Sequence, residues 1–274
     1  LRDQLETVEN LGMDDYNRRI YDSILKCPAG IVLVTGPTGS GKTTTLYATL
    51  REIGKPKLNV VTIEDPVEIH LPGINQVQVN PKAGLTFAGG LRAILRQDPD
   101  IIMVGETRDG ETAGISVRAA ITGHLVLSTL HTNDAVSSVV RLADMGVDRY
   151  LIANSLVGLV AQRLMRKVCP HCAREAAVTP QEQALLGRDI RTVRRGAGCM
   201  HCNGTGYRGR VAVHEIVAVD RSIRRMISRG AEAEEIEAYA REHQGMKSLR
   251  EKGLELVREG VTTPEELLRI AYYA

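Results

Sequence analysis

A glycine-rich segment behind an apolar run carries the most specific chemistry in this sequence. Residues 36–43 read Gly-Pro-Thr-Gly-Ser-Gly-Lys-Thr and follow the apolar run 31–34, which fits the G-x-x-x-x-G-K-[ST] pattern of a strand leading into a phosphate-binding loop. Glycines let successive backbone N–H groups point at phosphate oxygens, and the following helix adds the positive end of its dipole. An ordinary glycine-rich turn would need neither the lysine nor the threonine. The residues predicted to contact the nucleotide are Gly36, Pro37, Thr38, Gly39, Ser40, Gly41, Lys42, Thr43 and Thr44.

Two side chains of this loop have distinct predicted roles. Lys42 would neutralise the β- and γ-phosphates, and the Thr43 hydroxyl would bind Mg²⁺. The sequence therefore predicts a nucleoside triphosphate as ligand and Mg²⁺ as cofactor.

Two acids stand at the ends of apolar strands. Segment 100–106 is an apolar strand that ends in Glu106, and segment 60–64 ends in Glu64 before a proline. Carboxylates at the ends of parallel strands lie beside the phosphate loop of a doubly wound sheet. We expect Glu106 to hold the Mg²⁺ shell through water and Glu64 to orient or deprotonate the attacking water. The alternative for each is a simple strand-end acid.

A histidine and three arginines complete the candidate catalytic set. His131 follows the strand 125–129 and could donate to a phosphate oxygen, although a lone histidine is usually satisfied by its neighbours. Arg92, Arg96 and Arg108 flank the Glu106 strand. Arginines near a phosphate site often act on the nucleotide of a neighbouring subunit. A solvated basic face is the alternative for these arginines.

Four of the five cysteines form two C-x₂-C pairs. Cys169 and Cys172 are separated from Cys199 and Cys202 by 26 residues. Two such pairs indicate a tetrahedral Zn²⁺ site with four thiolate ligands. We expect a closed, structural site, because four thiolates leave no open position for catalysis. A redox dithiol pair is the alternative.

The apolar pattern predicts an α/β fold with a mainly parallel sheet, because strands and helices alternate from residue 31 to about residue 166. Segment 75–79 is a further candidate, for a hairpin strand. The strand candidates are 31–35, 60–63, 101–104 and 125–129, and the helix candidates between them include 43–53, 90–97, 111–121 and 135–145. The predicted divisions are a linker and helix (1–30), the α/β core (31–166), a four-cysteine module (167–212) and a helical region (213–274).

Composition restricts the partners. The formal net charge is +2, with one Phe, eight Tyr and no Trp, so we expect no direct contact with nucleic acid. The sequence has no apolar run long enough to span a membrane and no signal peptide. The chain begins without Met in a polar segment, so we expect a missing N-terminal portion, and we expect the protein in the cytosol.

These motifs together resemble the secretion ATPase superfamily, which includes the assembly ATPases of type IV pili (PilB-type) and the type II secretion ATPases (GspE-type). The resemblance covers nearly the whole chain. The segments that carry it are 36–43, 62–68, 90–100, 105–109 and 122–133.

The resemblance implies a RecA-like P-loop NTPase core that hydrolyses ATP as a homo-hexamer. It implies that Glu64 is the aspartate-box glutamate, Glu106 the Walker B glutamate and His131 the histidine-box residue. It also implies an N-terminal region outside this chain and an inner-membrane platform protein as partners, which would place the protein peripherally at that membrane. The four-cysteine module occurs in the assembly and export branches and is absent from retraction ATPases.

Two alternative functions remain open at this stage. One is a motor that handles DNA in competence or conjugation. The other is a nucleotide-binding scaffold without turnover, which would not need an acid that orients water.

Overall fold

The computed structural model describes residues 6–187 and 189–271. Within these residues the strands are β1 (Gly30–Thr35), β2 (Val60–Glu64), β3 (Asn75–Gln78), β4 (Ile101–Val104), β5 (Leu125–Leu130), β6 (Leu156–Val168), β7 (Ala173–Ala177), β8 (Thr192–Gly196) and β9 (Tyr207–Ala218).

The helices of the same residues fall into two groups along the chain. The first six are α1 (Asp15–Leu25), α2 (Lys42–Ile53), α3 (Phe87–Ile94), α4 (Gly110–Ile121), α5 (Ser137–Asp144) and α6 (Arg149–Ser155). The others are α7 (Pro180–Leu186), α8 (Arg221–Ser228), α9 (Ala233–Gln244), α10 (Leu249–Arg258) and α11 (Pro264–Ala271).

A seven-stranded sheet in the order β3-β2-β4-β5-β1-β6-β9 forms the centre of the molecule. All neighbours pair in parallel except β6 and β9, which are antiparallel. The strands β1, β2, β4 and β5 are buried at every residue, as expected for aliphatic strands covered on both faces. The predicted α/β class and mainly parallel sheet are confirmed.

Helices cover both faces of this sheet. On one face, Val32, Leu127 and Val160 pack against α1 and α2 in the smaller core. On the other face, Ile102 and Leu159 belong to a larger core that extends through α3 to α6 and into the C-terminal helices α8 to α11. The C-terminal helices are therefore packed on the same sheet as the phosphate loop.

The long strands β6 and β9 differ from the sequence-based expectation. Residues 156–168 were not among the candidate strands, and residues 213–218 were expected to be helical, but both segments lie in the central sheet. Gln162 and Arg163 interrupt the apolar pattern of β6, yet both are buried, with exposed fractions of 2% and 4%. The proposed boundaries after residues 166 and 212 fall inside these two paired strands.

The expectation of a hairpin strand at residues 75–79 was wrong in direction. β3 is a strand, but it pairs with β2 in parallel. Residues 65–74 lead the chain back to the edge of the sheet where β2 begins, so β3 runs in the same direction as β2.

Between β6 and β9 the chain forms a small module. β7 and β8 pair as an antiparallel ribbon, and α7 lies between them in the chain. The side chain of Thr179 accepts from the N–H of Glu182, while the Glu182 side chain accepts from the N–H of Thr179. This reciprocal cap fixes the start of α7.

None of the helices in residues 6–187 and 189–271 combines the length and apolar character required to cross a bilayer.

Candidate nucleotide site and metal centre

The phosphate loop lies between the end of β1 and the start of α2. Gly39 and Gly41 adopt φ angles of 78° and 89°, in the left-handed region that favours glycine. Lys42 is the first residue of α2, and its Nζ donates to the carbonyl oxygens of Gly36 at 2.7 Å and Pro37 at 3.0 Å. The lysine is thus folded back over its own loop, at the end of the helix where anions are favoured.

Burial lowers the pKa of Lys42, and the nearby Glu106 carboxylate partly offsets this effect. The lysine therefore lies in a partly desolvated place in which a negative charge would be strongly attracted.

A cleft of about 500 Å³ opens over this loop. This volume is typical of small-molecule and cofactor sites. Residues from three other strand ends line it together with the loop. The sequence-predicted residues that line it are Thr38, Gly39, Gly41, Lys42, Thr43, Thr44, Glu64, Glu106, Arg108 and His131.

Glu64 is the last residue of β2 and is 3% exposed. Its carboxylate accepts hydrogen bonds from the hydroxyls of Tyr47 and Thr62 and from Gln76 Nε2, the last at 3.0 Å. Burial and the bond to Glu64 raise the pKa of Tyr47, which keeps its hydroxyl protonated as a donor. The carboxylate is therefore fixed in position at the wall of the cleft.

Glu106 lies just after the end of β4, and its side chain contacts the loop that follows β5. Its Oε2 accepts from Arg108 Nε at 2.7 Å, and its Oε1 lies 2.9 Å from His131 Nε2. His131 is half-exposed and Glu106 is partly exposed, so both face the cleft. The three predicted residues Glu106, Arg108 and His131 form one connected group.

Arg92 and Arg96 stand apart from the cleft. Arg92, on α3, donates to Glu111 at 2.5 Å. Arg96 lies in a 3₁₀ turn behind α3 and is exposed. Neither side chain lines the cleft of its own chain.

Sequence reasoning missed several residues of the site. Tyr47 and Gln76 hold Glu64, and Arg210 lines the cleft from β9. Gln162 of β6 donates to the carbonyl of Ser40 at 2.8 Å. The only available signals were a tyrosine within an apolar helix and a polar pair within an apolar run, and neither is specific.

The four cysteines of the two C-x₂-C pairs converge on one point. Their sulfur atoms all lie within 4.8 Å of one another. The distance is 3.8 Å for Cys169 to Cys199 and for Cys172 to Cys202, and 3.7 Å for Cys199 to Cys202. A tetrahedron with Zn–S bonds of about 2.3 Å has S–S edges of about 3.8 Å. The donor set therefore fits Zn²⁺.

Backbone donors favour the thiolate form of Cys202, whereas burial raises the pKa of the Cys172 thiol. Burial raises the pKa of the Cys202 thiol, but the N–H groups of Cys199 and Gly206 outweigh it and lower that pKa to about 6. The His171 and His201 rings stack on each other with centroids 3.9 Å apart. These histidines are not needed as ligands, because the four sulfur atoms already supply a tetrahedral donor set.

A family model described as "Type II/IV secretion system protein" matches residues 2–269. The chain belongs to this family. It is 50% identical over 266 residues to type II secretion system protein E of Pseudomonas aeruginosa, covering 96% of the chain and 53% of the relative. It is 52% identical over 266 residues to the type IV pilus assembly ATPase PilB of Thermus thermophilus, covering 95% of the chain and 30% of the relative.

Two solved structures share the fold of this family member. The pilus retraction motor PilT with bound ADP superimposes with a TM-score of 0.74 at 28% identity, covering 98% of the chain and 67% of PilT. The ATPase DotB of Legionella pneumophila has a TM-score of 0.69 at 24% identity, covering 98% of the chain and 66% of DotB, a likeness of fold. The chain spans only about half the length of the type II secretion relatives that it matches.

Proposed function

We propose that the chain is the motor core of an ATPase that hydrolyses ATP with Mg²⁺ and powers type IV pilus assembly or type II protein secretion. The names of relatives that are about half identical to the chain support both systems. The four-cysteine cluster favours assembly or export over retraction.

One observation carries the proposal: Lys42, Glu64, Glu106 and His131 line the same cleft over a phosphate loop. A binding scaffold would need the lysine but not a buried acid whose carboxylate is fixed by three donors. A fixed carboxylate near a triphosphate can hold a water molecule for attack on phosphorus.

Each of these residues has a proposed role in ATP binding or hydrolysis. Lys42 and the N–H groups at the start of α2 would bind the phosphates, and Thr43 and Glu106 would hold Mg²⁺, which when bound neutralises phosphate charge. Glu64 would orient the water and accept its proton. His131, in contact with Glu106 at 2.9 Å, would donate to the terminal phosphate and signal its presence to the loop behind it.

The remaining parts of the proposal concern the whole protein. It would act as a homo-hexamer in the cytoplasm, attached to the inner membrane through a platform protein and through an N-terminal region beyond this chain. The cysteine cluster would hold one structural Zn²⁺, and no contact with nucleic acid is needed for this function.

The test is phosphate release and nucleotide binding by the chain and by Lys42→Ala. The variant should lose ATP binding, because a positive charge that faces three phosphates is removed. Lys55→Ala is the matched control, since Lys55 is an exposed lysine just after the other end of α2. Full ATP affinity in Lys42→Ala, or no phosphate release by the unaltered protein, would contradict the proposal.

A further inference from the structure

The loop that carries His131 is held by strands that are far away in the sequence. It comprises residues 131–135, between β5 and α5. From β1, Thr35 Oγ1 accepts from the N–H of Thr132 at 2.8 Å. The two other anchors come from β6 and β9, the pair of strands beyond the phosphate-loop strand.

Arg163 of β6 is the second anchor. Its Nη2 donates to the carbonyl oxygen of Asn133 at 2.8 Å, and its Nη1 donates to the carbonyl oxygen of Gln162 at 3.1 Å. The same Nη1 would lie 3.1 Å from a Cβ atom at Gly36. Arg163 is 4% exposed, and its guanidinium fills the space between the His131 loop and the start of the phosphate loop.

Glu215 of β9 is the third anchor. Its Oε1 accepts from the N–H of Ala135 at 2.8 Å, and the residue is 4% exposed. An acid is costly to bury, and the backbone N–H groups of Ala135, at the end of the loop, and of Leu249 both act on this carboxylate. The charged groups that act on Glu215 are Asp134 of the loop, Glu237 of α9 and Arg163 of β6.

We propose that Arg163 and Glu215 are positioning residues, which fix the His131 loop relative to the phosphate loop so that His131 meets Glu106 in the reactive arrangement. This inference rests on the proposed ATPase function. It makes the β6–β9 pair, which lies outside the β1–β5 part of the sheet, a component of the catalytic apparatus.

The experiment compares Glu215→Leu, Glu215→Asp and Glu215→Gln. Leucine removes the acceptor, aspartate withdraws it by one methylene, and glutamine keeps an oxygen that can accept from Ala135. His214→Leu is the matched control, because His214 precedes Glu215 on β9, is 1% exposed, faces the smaller core and has no hydrogen bond from its ring among the described residues.

Three quantities are measured on folded protein, as judged by thermal unfolding: ADP affinity, the turnover number for phosphate release, and the ring NMR signal of His131, assigned with His131→Gln. We expect Glu215→Leu and Glu215→Asp to lose about tenfold or more in turnover, with ADP affinity retained and the His131 signal shifted. Glu215→Gln should restore most of the turnover, and His214→Leu should match the unaltered protein.

Arg163→Lys keeps the argument testable if Glu215→Leu does not fold. Lysine retains the charge but cannot donate to both carbonyl groups in the same fork geometry, so the His131 signal should shift again. Wild-type turnover and an unchanged His131 signal in Glu215→Asp and Arg163→Lys would overturn the inference. Failure of the proposed function is distinguishable, since the unaltered protein would then release no phosphate.

Discussion

Glu64 ends a buried strand and Glu106 follows one, yet their surroundings differ. Glu64 is almost fully buried and receives three neutral donors. Glu106 is partly exposed and contacts Arg108 and His131. A carboxylate fixed by three donors can hold a water molecule in one orientation, whereas a partly exposed carboxylate at the cleft is accessible to a metal ion. The surroundings therefore support the division between a water-orienting acid and a metal-binding acid.

This division gives a prediction for Glu64→Gln. The variant should bind ATP as the unaltered protein does, because Lys42 and the loop are unchanged. Phosphate release should fall by about 10²-fold or more, on the order of 3 kcal/mol in the barrier, since the base is lost. Single-turnover phosphate release measures this loss of rate. The control is Glu52→Gln, near the end of α2 that is farther from the phosphate loop. Undiminished turnover in Glu64→Gln would refute the role.

At the level of elements, the sequence predicts the β1-to-α5 part of the fold well. The strands β1, β2, β4 and β5 are mostly aliphatic and buried at every residue, and β1, β4 and β5 are each followed by a helix, so local pattern and tertiary burial agree. The phosphate loop and both cysteine pairs are predictable for the same reason: their residues are neighbours in the sequence.

β6 and β9 could not be predicted because their polar residues find partners more than a hundred positions away or across two strands. Gln162 is satisfied by Thr45 and Ser40, and Glu215 by the N–H of Ala135. A local pattern shows only a polar interruption at such positions. The same limit explains why Tyr47 and Gln76 were missed as supports of Glu64.

The four-cysteine module should depend on metal. Cys169→Ser removes one of four converging sulfur atoms, and structural zinc contributes on the order of 10 kcal/mol to the folding of its module. We expect loss of zinc and faster proteolysis between β7 and β8, with nucleotide binding intact, measured by elemental analysis and limited digestion. Cys27→Ser is the control, because Cys27 lies outside the cluster. If freshly purified unaltered protein contained no zinc, the predicted dependence of the module on metal would be wrong.

Two neighbours on β9 should give opposite dependences of stability on pH. Burial lowers the pKa of His214 from 6.5 to about 4, so the unfolded chain binds the extra proton between these values and stability rises with pH. Burial raises the pKa of Glu215 from 4.5 to about 7, so the folded chain binds the extra proton there and stability falls as the pH rises. In the unaltered protein the two contributions largely cancel.

Single substitutions should separate these contributions. In Glu215→Gln only the His214 contribution remains, so the free energy of unfolding should rise from pH 4.5 to 6.5 more steeply than in the unaltered protein. In His214→Leu it should instead fall between pH 4.5 and 7. Each effect is on the order of 3 kcal/mol. Urea unfolding at a series of pH values measures both, and parallel pH profiles for all three proteins would show that neither group titrates as described.

At the scale of the whole molecule, the arginines divide into two sets. Arg108 lines its own chain's cleft beside Glu106. Arg96 is exposed outside that cleft, and its side chain makes no hydrogen bond or ion pair to any residue in 6–187 or 189–271. If the protein assembles as a ring, Arg96 is therefore the better candidate to act on a neighbour's nucleotide, and Arg108 on its own.

Mixing variants tests this difference directly. Lys42→Ala and Arg96→Ala should each release little phosphate, but their mixture should exceed the sum of the two. The reason is that a Lys42→Ala subunit supplies an intact Arg96 to a neighbour that still binds ATP. A mixture of Lys42→Ala and Arg108→Ala should show no such gain, because neither kind of subunit has a complete cleft. The assay is run at concentrations where sedimentation shows self-association. A strictly additive rate in the Arg96 mixture would place that arginine outside the neighbour's site and leave Arg108 as the arginine nearest to the phosphates.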